Sequence, residues 1–184
     1  KESQRALHWS IRIAEYRAPE FEVDATPLNG DVIRGNPVEI QVTGRLLNGS
    51  PMAEAKGVAL RESDEAVFYP KGPEGVTYGF IGPVIRSWPT DRESLTLDGS
   101  GQNVLSLPTS TGFFPTVRQS VNVELTDVTR QTVATSTELL VHPGEFYLGA
   151  RVPKPVGFSN YIIGDDFEVN FVAVRPDGSV FDEL

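Results

Sequence analysis

The chain has 184 residues, of which 39% are hydrophobic and 22% are charged, so it can bury the core of one ordinary domain. Its 25 acidic residues outnumber 16 Lys and Arg, and the formal charge of −9 argues against nucleic acid as a partner, because phosphate contacts need cations. The absence of cysteine excludes disulfides, thiolate zinc sites, iron–sulfur ligation and cysteine nucleophiles.

The predicted elements are strands. The 17 glycines and 14 prolines are spread along the whole chain and exclude long helices. Between them, apolar and polar residues alternate with period two, which is typical of strands with one buried face. The first such strand covers residues 7–16, where Leu7, Trp9, Ile11 and Ile13 share one face. Further alternating runs lie at 21–24, 38–43, 58–61, 95–97, 104–107, 117–125, 133–141, 145–152 and 166–174.

This spacing predicts an all-β fold, an antiparallel β-sandwich of about seven strands of the immunoglobulin or fibronectin-III type. Two Pro-containing junctions divide the chain, at Arg17-Ala18-Pro19 and His142-Pro143-Gly144. We therefore predict a complete domain over 18–143, preceded by the last strand of another domain (1–17) and followed by the first strands of a third (144–184). Isolated strands cannot bury their apolar faces, so we expect a longer parent protein.

Residues 63–93 form the least regular stretch, with many Gly and Pro residues among aromatic ones. A solvent-exposed loop rarely carries so many aromatic side chains. We expect this segment to pack against the sandwich, with a short hairpin as one form and a binding loop as the alternative.

Candidate catalytic residues are few. His8 and His142 have no metal-ligand partner nearby in sequence, and we expect both to be solvated surface histidines. The acidic pairs Asp64-Glu65 and Asp165-Asp166 could be imagined as a glycosidase dyad or calcium ligands, but neighbours on a strand point to opposite faces. Asp165-Asp166 follows Gly164 and indicates a turn. We predict no catalytic residue, no cofactor-binding residue and no metal ligand, and hence a protein segment that is not an enzyme.

Three short motifs have simple explanations. Asp98-Gly99-Ser100-Gly101 lies between two alternating runs and predicts a hairpin turn. Asn48-Gly49-Ser50 is formally a glycosylation acceptor, but a hairpin turn explains it. Leu107-Pro108-Thr109-Ser110-Thr111-Gly112 is not a wall-sorting signal, because it has one residue too many and no hydrophobic tail follows it.

No apolar run approaches the roughly 20 residues of a membrane span, so we expect no direct membrane contact by this segment. Lys1-Glu2-Ser3-Gln4-Arg5 does not open a signal peptide, and we expect any export signal to lie upstream.

One run of residues resembles a known family. Glu15-Tyr16-Arg17-Ala18-Pro19-Glu20-Phe21-Glu22-Val23 is similar to the junction between consecutive macroglobulin domains in the alpha-2-macroglobulin family. Segments further along resemble the bacterial branch of that family at the close of one domain and the opening of the next. They are Gly30-Asp31, Gly35-Asn36-Pro37-Val38, Asn48-Gly49-Ser50-Pro51-Met52, Leu97-Asp98-Gly99-Ser100-Gly101, Leu139-Leu140-Val141-His142-Pro143 and Phe146-Tyr147-Leu148-Gly149.

The resemblance implies a non-catalytic scaffold segment of a broad-spectrum protease trap. In such proteins macroglobulin domains frame a bait region that endopeptidases cut, and a thioester made by a Cys-x-Glu-Gln motif captures the protease. This chain has no cysteine, so the reactive centre lies elsewhere, and 63–93 is too aromatic for a bait region. The implied partners are endopeptidases, met through the full-length protein, and neighbouring macroglobulin-like domains.

The resemblance also implies a location in the periplasm, with an upstream lipidated N-terminus anchoring the parent at the inner membrane. The alternative function is an immunoglobulin-like module of a bacterial surface adhesin or carbohydrate-binding protein, since a sandwich alone does not define a function.

Overall fold

The computed structural model describes residues 18, 20–73, 78–80, 90–109, 115–152 and 166–182. Within these ranges the chain is all-β, as predicted. The strands are β1 (Phe21–Pro27), β2 (Val32–Ile33), β3 (Val38–Leu46), β4 (Lys56–Glu65), β5 (Gly79–Phe80), β6 (Asp91–Thr96), β7 (Gln102–Leu107), β8 (Val117–Thr126), β9 (Thr132–His142), β10 (Tyr147–Arg151) and β11 (Asn170–Val174). The predicted strand at 7–16 lies outside the described residues.

Two sheets face each other as a β-sandwich. One has the strand order β1-β3-β7 and the other has the order β2-β9-β8-β4-β6. Apart from the two-residue β2, the described part of the sandwich has the seven strands that the sequence predicts. The pairing is antiparallel except that β2 runs parallel to the end of β9, with Ile33 opposite His142. Two residues contain no period-two pattern, so the sequence could not reveal this exception.

The core lies between these sheets. Val38, Ile40 and Val42 of β3 are at most 1% exposed, and Val121 and Val123 of β8 are fully buried on the facing sheet. Burying one such side chain stabilises the fold by about 1.5–3 kcal/mol. The residues between them along each strand are more exposed, which is the alternation that the sequence shows.

The two predicted turns form, but only one closes a hairpin. Gly49 has φ 87°, and the chain folds back so that Arg45 bridges to Pro51. Gly101 has φ 75° in the second turn. The hairpin predicted there is wrong, because β6 pairs with β4 and β7 pairs with β3 in the opposite sheet. The chain crosses the core at Leu97, which is 1% exposed.

A third sheet has the order β11-β10-β5. Its strands β10 and β11 correspond to the predicted runs at 145–152 and 166–174. β5 belongs to the irregular 63–93 segment and pairs Phe80 with Gly149 of β10. Residues 74–77 and 81–89 lie outside the described residues, so the short hairpin stays a prediction. The division into domains at residue 143 stays a prediction, and β5 pairs across it. Among the described residues, no helix is long and apolar enough to cross a membrane.

Candidate functional site

The sandwich and the third sheet meet at a joint made by Asp31, Phe68, Thr116, His142 and Tyr147. β9 ends at His142 because Pro143 has no N–H group to continue the ladder. The carbonyl of His142 accepts a hydrogen bond from the backbone N–H of Arg34 at 2.9 Å. The backbone of His142 is therefore fixed to the sandwich, whereas Tyr147 opens the third sheet.

The hydroxyl of Tyr147 links the two parts. It lies 2.7 Å from Nδ1 of His142 and within hydrogen-bond distance of Oγ1 of Thr116, the residue before β8. His142 is 2% exposed and Thr116 is 4% exposed. The prediction that His142 is a solvated surface histidine is therefore wrong, because residues from distant parts of the sequence enclose its ring.

Aromatic rings complete the joint. The ring of Phe68, in the segment after β4, packs edge-on against His142 with the ring centroids 4.8 Å apart. It also lies 5.1 Å from the ring of Tyr147, which Phe80 of β5 approaches edge-on at 6.5 Å. Such pairs contribute about 0.5–1.5 kcal/mol beyond the area that they bury. The expectation that aromatic residues of 63–93 pack is confirmed for Phe68 and Phe80, whereas Tyr69 is 73% exposed.

Burial sets the protonation of the joint at neutral pH. Burial lowers the pKa of His142 below its ordinary value of 6.5, and the carboxylate of Asp31 acts in the opposite direction. Burial raises the pKa of Tyr147 to about 12, although the hydrogen bond with Thr116 opposes this rise. At pH 7 the joint therefore holds a neutral imidazole and a neutral phenol.

The position of Asp31 defines the hydrogen-bond direction. Its Oδ2 lies 3.9 Å from Nε2 of His142, and its Oδ1 accepts a hydrogen bond from the N–H of Leu140 at 2.8 Å. A carboxylate on that side favours the proton on Nε2, so we assign Nδ1 as the acceptor. Thr116 then donates to the oxygen of Tyr147, and Tyr147 donates to His142.

This arrangement holds parts of the chain together and offers little for catalysis. The hydroxyl groups of Thr116 and Tyr147 and Nδ1 of His142 all take part in one hydrogen-bond chain. Thr116 and His142 are almost completely buried, so the hydrogen-bonded groups of the joint do not place a free base beside an accessible nucleophile. Within the described ranges, no group of three or more His, Asp or Glu side chains could hold a metal ion.

A cleft of about 430 Å³ opens beside the joint. Its walls come from both parts and are mainly apolar, with Val67, Phe68, Phe80, Phe146 and Leu148 among the lining residues.

The other residues considered from sequence do not converge on a site. Asp64 and Glu65 are exposed at the end of β4, and Asp166 is exposed before β11. His8 and Asp165 lie outside the described residues.

The motif at 107–112 has a structural role in its described part. Thr109 is 7% exposed, and its hydroxyl accepts a hydrogen bond from the N–H of Gly35 and donates one to the carbonyl of Asn36. It therefore holds the turn after β2. Residues 110–112 lie outside the described residues.

The sequence around Thr116 does not indicate that this residue belongs to the joint. For Tyr147, the indication is that aromatic residues follow the second predicted junction.

The chain is similar in sequence to a known protein. No protein-family model matches the chain. A protein of Nostoc sp. named alpha-2-macroglobulin homolog is 26% identical to it over 185 residues, which cover 92% of this chain and 9% of that protein. The resemblance to bacterial alpha-2-macroglobulins is confirmed. The chain thus spans about a tenth of the length of this alpha-2-macroglobulin relative.

Solved structures of bacterial alpha-2-macroglobulins share the fold. Salmonella alpha-2-macroglobulin reacted with methylamine matches 90% of this chain with a TM-score of 0.59 and 15% identity. Escherichia coli alpha-2-macroglobulin activated by porcine elastase matches 89% with a TM-score of 0.59 and 15% identity. The matches cover 12% and 15% of those two chains.

Proposed function

We propose that this chain is a non-catalytic scaffold segment of a bacterial alpha-2-macroglobulin-like protease inhibitor that acts as a broad-spectrum trap. The observation that carries the proposal is the similarity along 92% of the chain to an alpha-2-macroglobulin homolog of which it spans only 9%. The Escherichia coli neighbour was activated by porcine elastase, so endopeptidases are the proposed partners of the parent protein.

The joint supports a role in geometry. Its polar side chains bond to one another, and its backbone is anchored to the sandwich through the hydrogen bond between Arg34 and His142. A short connection through Pro143 allows less play than a Gly/Ser linker. Bait cleavage elsewhere in the parent could then reach this segment as a rigid-body movement about such joints, because packed sandwiches pivot more easily than they deform.

The adhesin or carbohydrate-binding alternative predicts different neighbours. Tandem, nearly identical sandwiches around this segment would support it, whereas a downstream Cys-x-Glu-Gln motif would support the trap. The similarity to the Nostoc protein favours the trap.

A periplasmic location is part of the same proposal, with the parent anchored at the inner membrane through an upstream lipidated N-terminus. Cell fractionation with palmitate labelling of the parent tests it. A labelled parent in the inner-membrane fraction is the expected result, and an unlabelled cytosolic parent would contradict it.

The trapping role is tested by mixing elastase with either the isolated 184-residue chain or the parent, then assaying a small and a protein substrate. We expect the parent to block cleavage of the protein substrate while sparing the small one. The isolated chain should leave the cleavage of both substrates unchanged and should form no adduct that survives denaturation. Selective inhibition by the isolated chain, or none by the parent, would overturn the proposal.

A matched pair of variants tests the role of the joint in the parent. Tyr147→Phe removes the hydroxyl of the joint, and Tyr69→Phe removes a hydroxyl from a side chain that is 73% exposed. We expect Tyr147→Phe alone to weaken protection of the protein substrate. Equal protection by both variants would show that the joint does not contribute to trapping.

A further inference from the structure

The ring of His142 is buried where two parts of the chain meet, and few groups can support a positive charge on it. From β10, the hydroxyl of Tyr147 faces Nδ1. From the segment before β2, the carboxylate of Asp31 faces Nε2 at 3.9 Å, and its side chain is 54% exposed. From the segment after β4, the ring of Phe68 covers one side.

The elements around His142 also carry Arg34 and, at the end of β4 beside the cleft, Glu65. Arg34 follows β2, and its backbone N–H donates to the carbonyl of His142. Thr116, before β8, reaches His142 only through Tyr147. Asp31 is therefore the carboxylate that opposes the cost of a buried imidazolium.

We propose that the joint is an acid-sensitive latch, in which protonation of His142 loosens the third sheet from the sandwich. This inference rests on the contacts of the joint and does not depend on the proposed function.

Protonation disturbs the hydrogen-bond chain as well as the charge. A proton on Nδ1 makes this atom a donor, so the oxygen of Tyr147 must accept from it and turn its own hydrogen toward Thr116. The hydroxyl of Thr116 then loses its acceptor. A buried donor without a partner is unfavourable, so the closed joint fits the neutral ring better than the cation.

The structure offers a way for the ring to reach water. The cleft of about 430 Å³ lies beside the joint and is lined by Phe68 and Tyr147, the two side chains that cover the ring. The third sheet is connected to the sandwich through residues 143–146 and, by way of β5, through the segment after β4. Movement of both connections would widen this cleft, while the core of the sandwich stays closed.

The direction of the pH effect follows from burial. Burial lowers the pKa of His142 in the closed joint, whereas an exposed histidine has the ordinary value of 6.5. The closed joint is therefore fully stabilised above pH 6.5 and loses stability as the pH falls below that value. An exposed histidine is about ten times more often protonated than neutral at pH 5.5, so the opening equilibrium rises by up to about tenfold.

Hydrogen exchange of the backbone amides tests the latch on the full chain. Exchange of Tyr147–Arg151 and Asn170–Val174 is compared with that of Val117–Thr126 at pH 7.5 and 5.5, after correction for intrinsic rates. The control variants are His142→Gln, whose amide can accept from Tyr147 but does not titrate, and His8→Gln, which removes the other histidine.

We expect opening of β10 and β11 to rise up to about tenfold at the lower pH in the original chain and in His8→Gln, and less than twofold in His142→Gln. An equal rise in His142→Gln, or no rise in the original chain, would overturn the proposal. If His142→Gln fails to fold, the test is the pH titration of the imidazole signals of His142, measured by NMR on the original chain. A His142 that titrates at 6.5 or above while the amides of β10 stay protected would also overturn it.

Discussion

Two turns of the sandwich share the same pattern of hydrogen bonds but have different residues at the position with positive φ. In each, Oδ1 of an aspartate accepts from the N–H groups two and four positions later, at 2.8 and 3.0 Å for Asp98 and at 2.9 and 2.8 Å for Asp127. The residue with positive φ is Gly101 at 75° in the first turn and Arg130 at 67° in the second. We predict that Gly101→Ala destabilises the fold by about 2–4 kcal/mol.

The magnitude has two parts. A left-handed backbone costs an L residue about 1–2 kcal/mol, which is partly offset by about 0.4–1 kcal/mol from the lower entropy of the unfolded chain. In addition, a Cβ at residue 101 would lie 2.7 Å from the carbonyl oxygen of Gly44 and 3.0 Å from the backbone nitrogen of Met52. These two atoms are hydrogen-bonded to each other and cannot move freely. The steric contact therefore lowers the stability of the fold by about a further 1–3 kcal/mol.

Residue 130 supplies the matched control, because Arg130 is exposed. The stability difference between Arg130→Gly and Arg130→Ala measures the backbone part alone, and we expect about 1 kcal/mol in favour of Gly. All three variants are compared by urea unfolding followed by circular dichroism, where the midpoint should fall for Gly101→Ala at unchanged slope. If Gly101→Ala costs the same as that difference to within about 0.5 kcal/mol, the steric argument is refuted.

Gln119 is 6% exposed and its Oε1 has no hydrogen-bond partner, so Gln119→Met should raise stability by about 1 kcal/mol, measured by thermal unfolding. Gln41→Met is the control and should bring no gain, because the Gln41 amide donates to backbone carbonyls. Tyr147→Phe should lower stability by about 1–3 kcal/mol at pH 7, and a loss no greater than that of Tyr69→Phe would contradict the assigned hydrogen-bond chain. The hydrogen bond from Ser100 lowers the pKa of Asp98 below 3.8. The ionised carboxylate of Asp98 therefore stabilises the fold at neutral pH, and this stabilisation is lost as the pH falls below 3.8. Asp98→Asn should therefore flatten the acid-unfolding curve, and an unchanged curve would refute this.

The strands could be predicted because burial of one face leaves a period-two pattern. In β3, Val38, Ile40 and Val42 are buried while Glu39 and Gln41 are partly exposed. The pattern shows which face of a strand is buried, but not which sheet the strand joins. The turn at Asp98 therefore looked like a hairpin, although Leu97 carries the chain from one sheet to the other.

The joint could be predicted only in part. Pro143 marked the end of β9, and the aromatic residues after it marked the start of a new strand. The ring of His142, however, packs against Phe68 and faces the carboxylate of Asp31, and both residues come from distant positions in the chain. Contacts between such positions leave no periodic pattern in a single sequence.

The pairing of β5 with β10 determines how large a part of the chain can be exchanged between related proteins as one folded unit. β5 lies in the chain between strands of the sandwich, yet Gly79 and Phe80 form the edge that lies beside Gly149 and Ala150. A graft that began at Pro143 would leave this edge behind and expose the flank of β10 to pairing with other chains. The transplantable unit is thus the sandwich together with its neighbour, and homologous recombination between such proteins should conserve the pair.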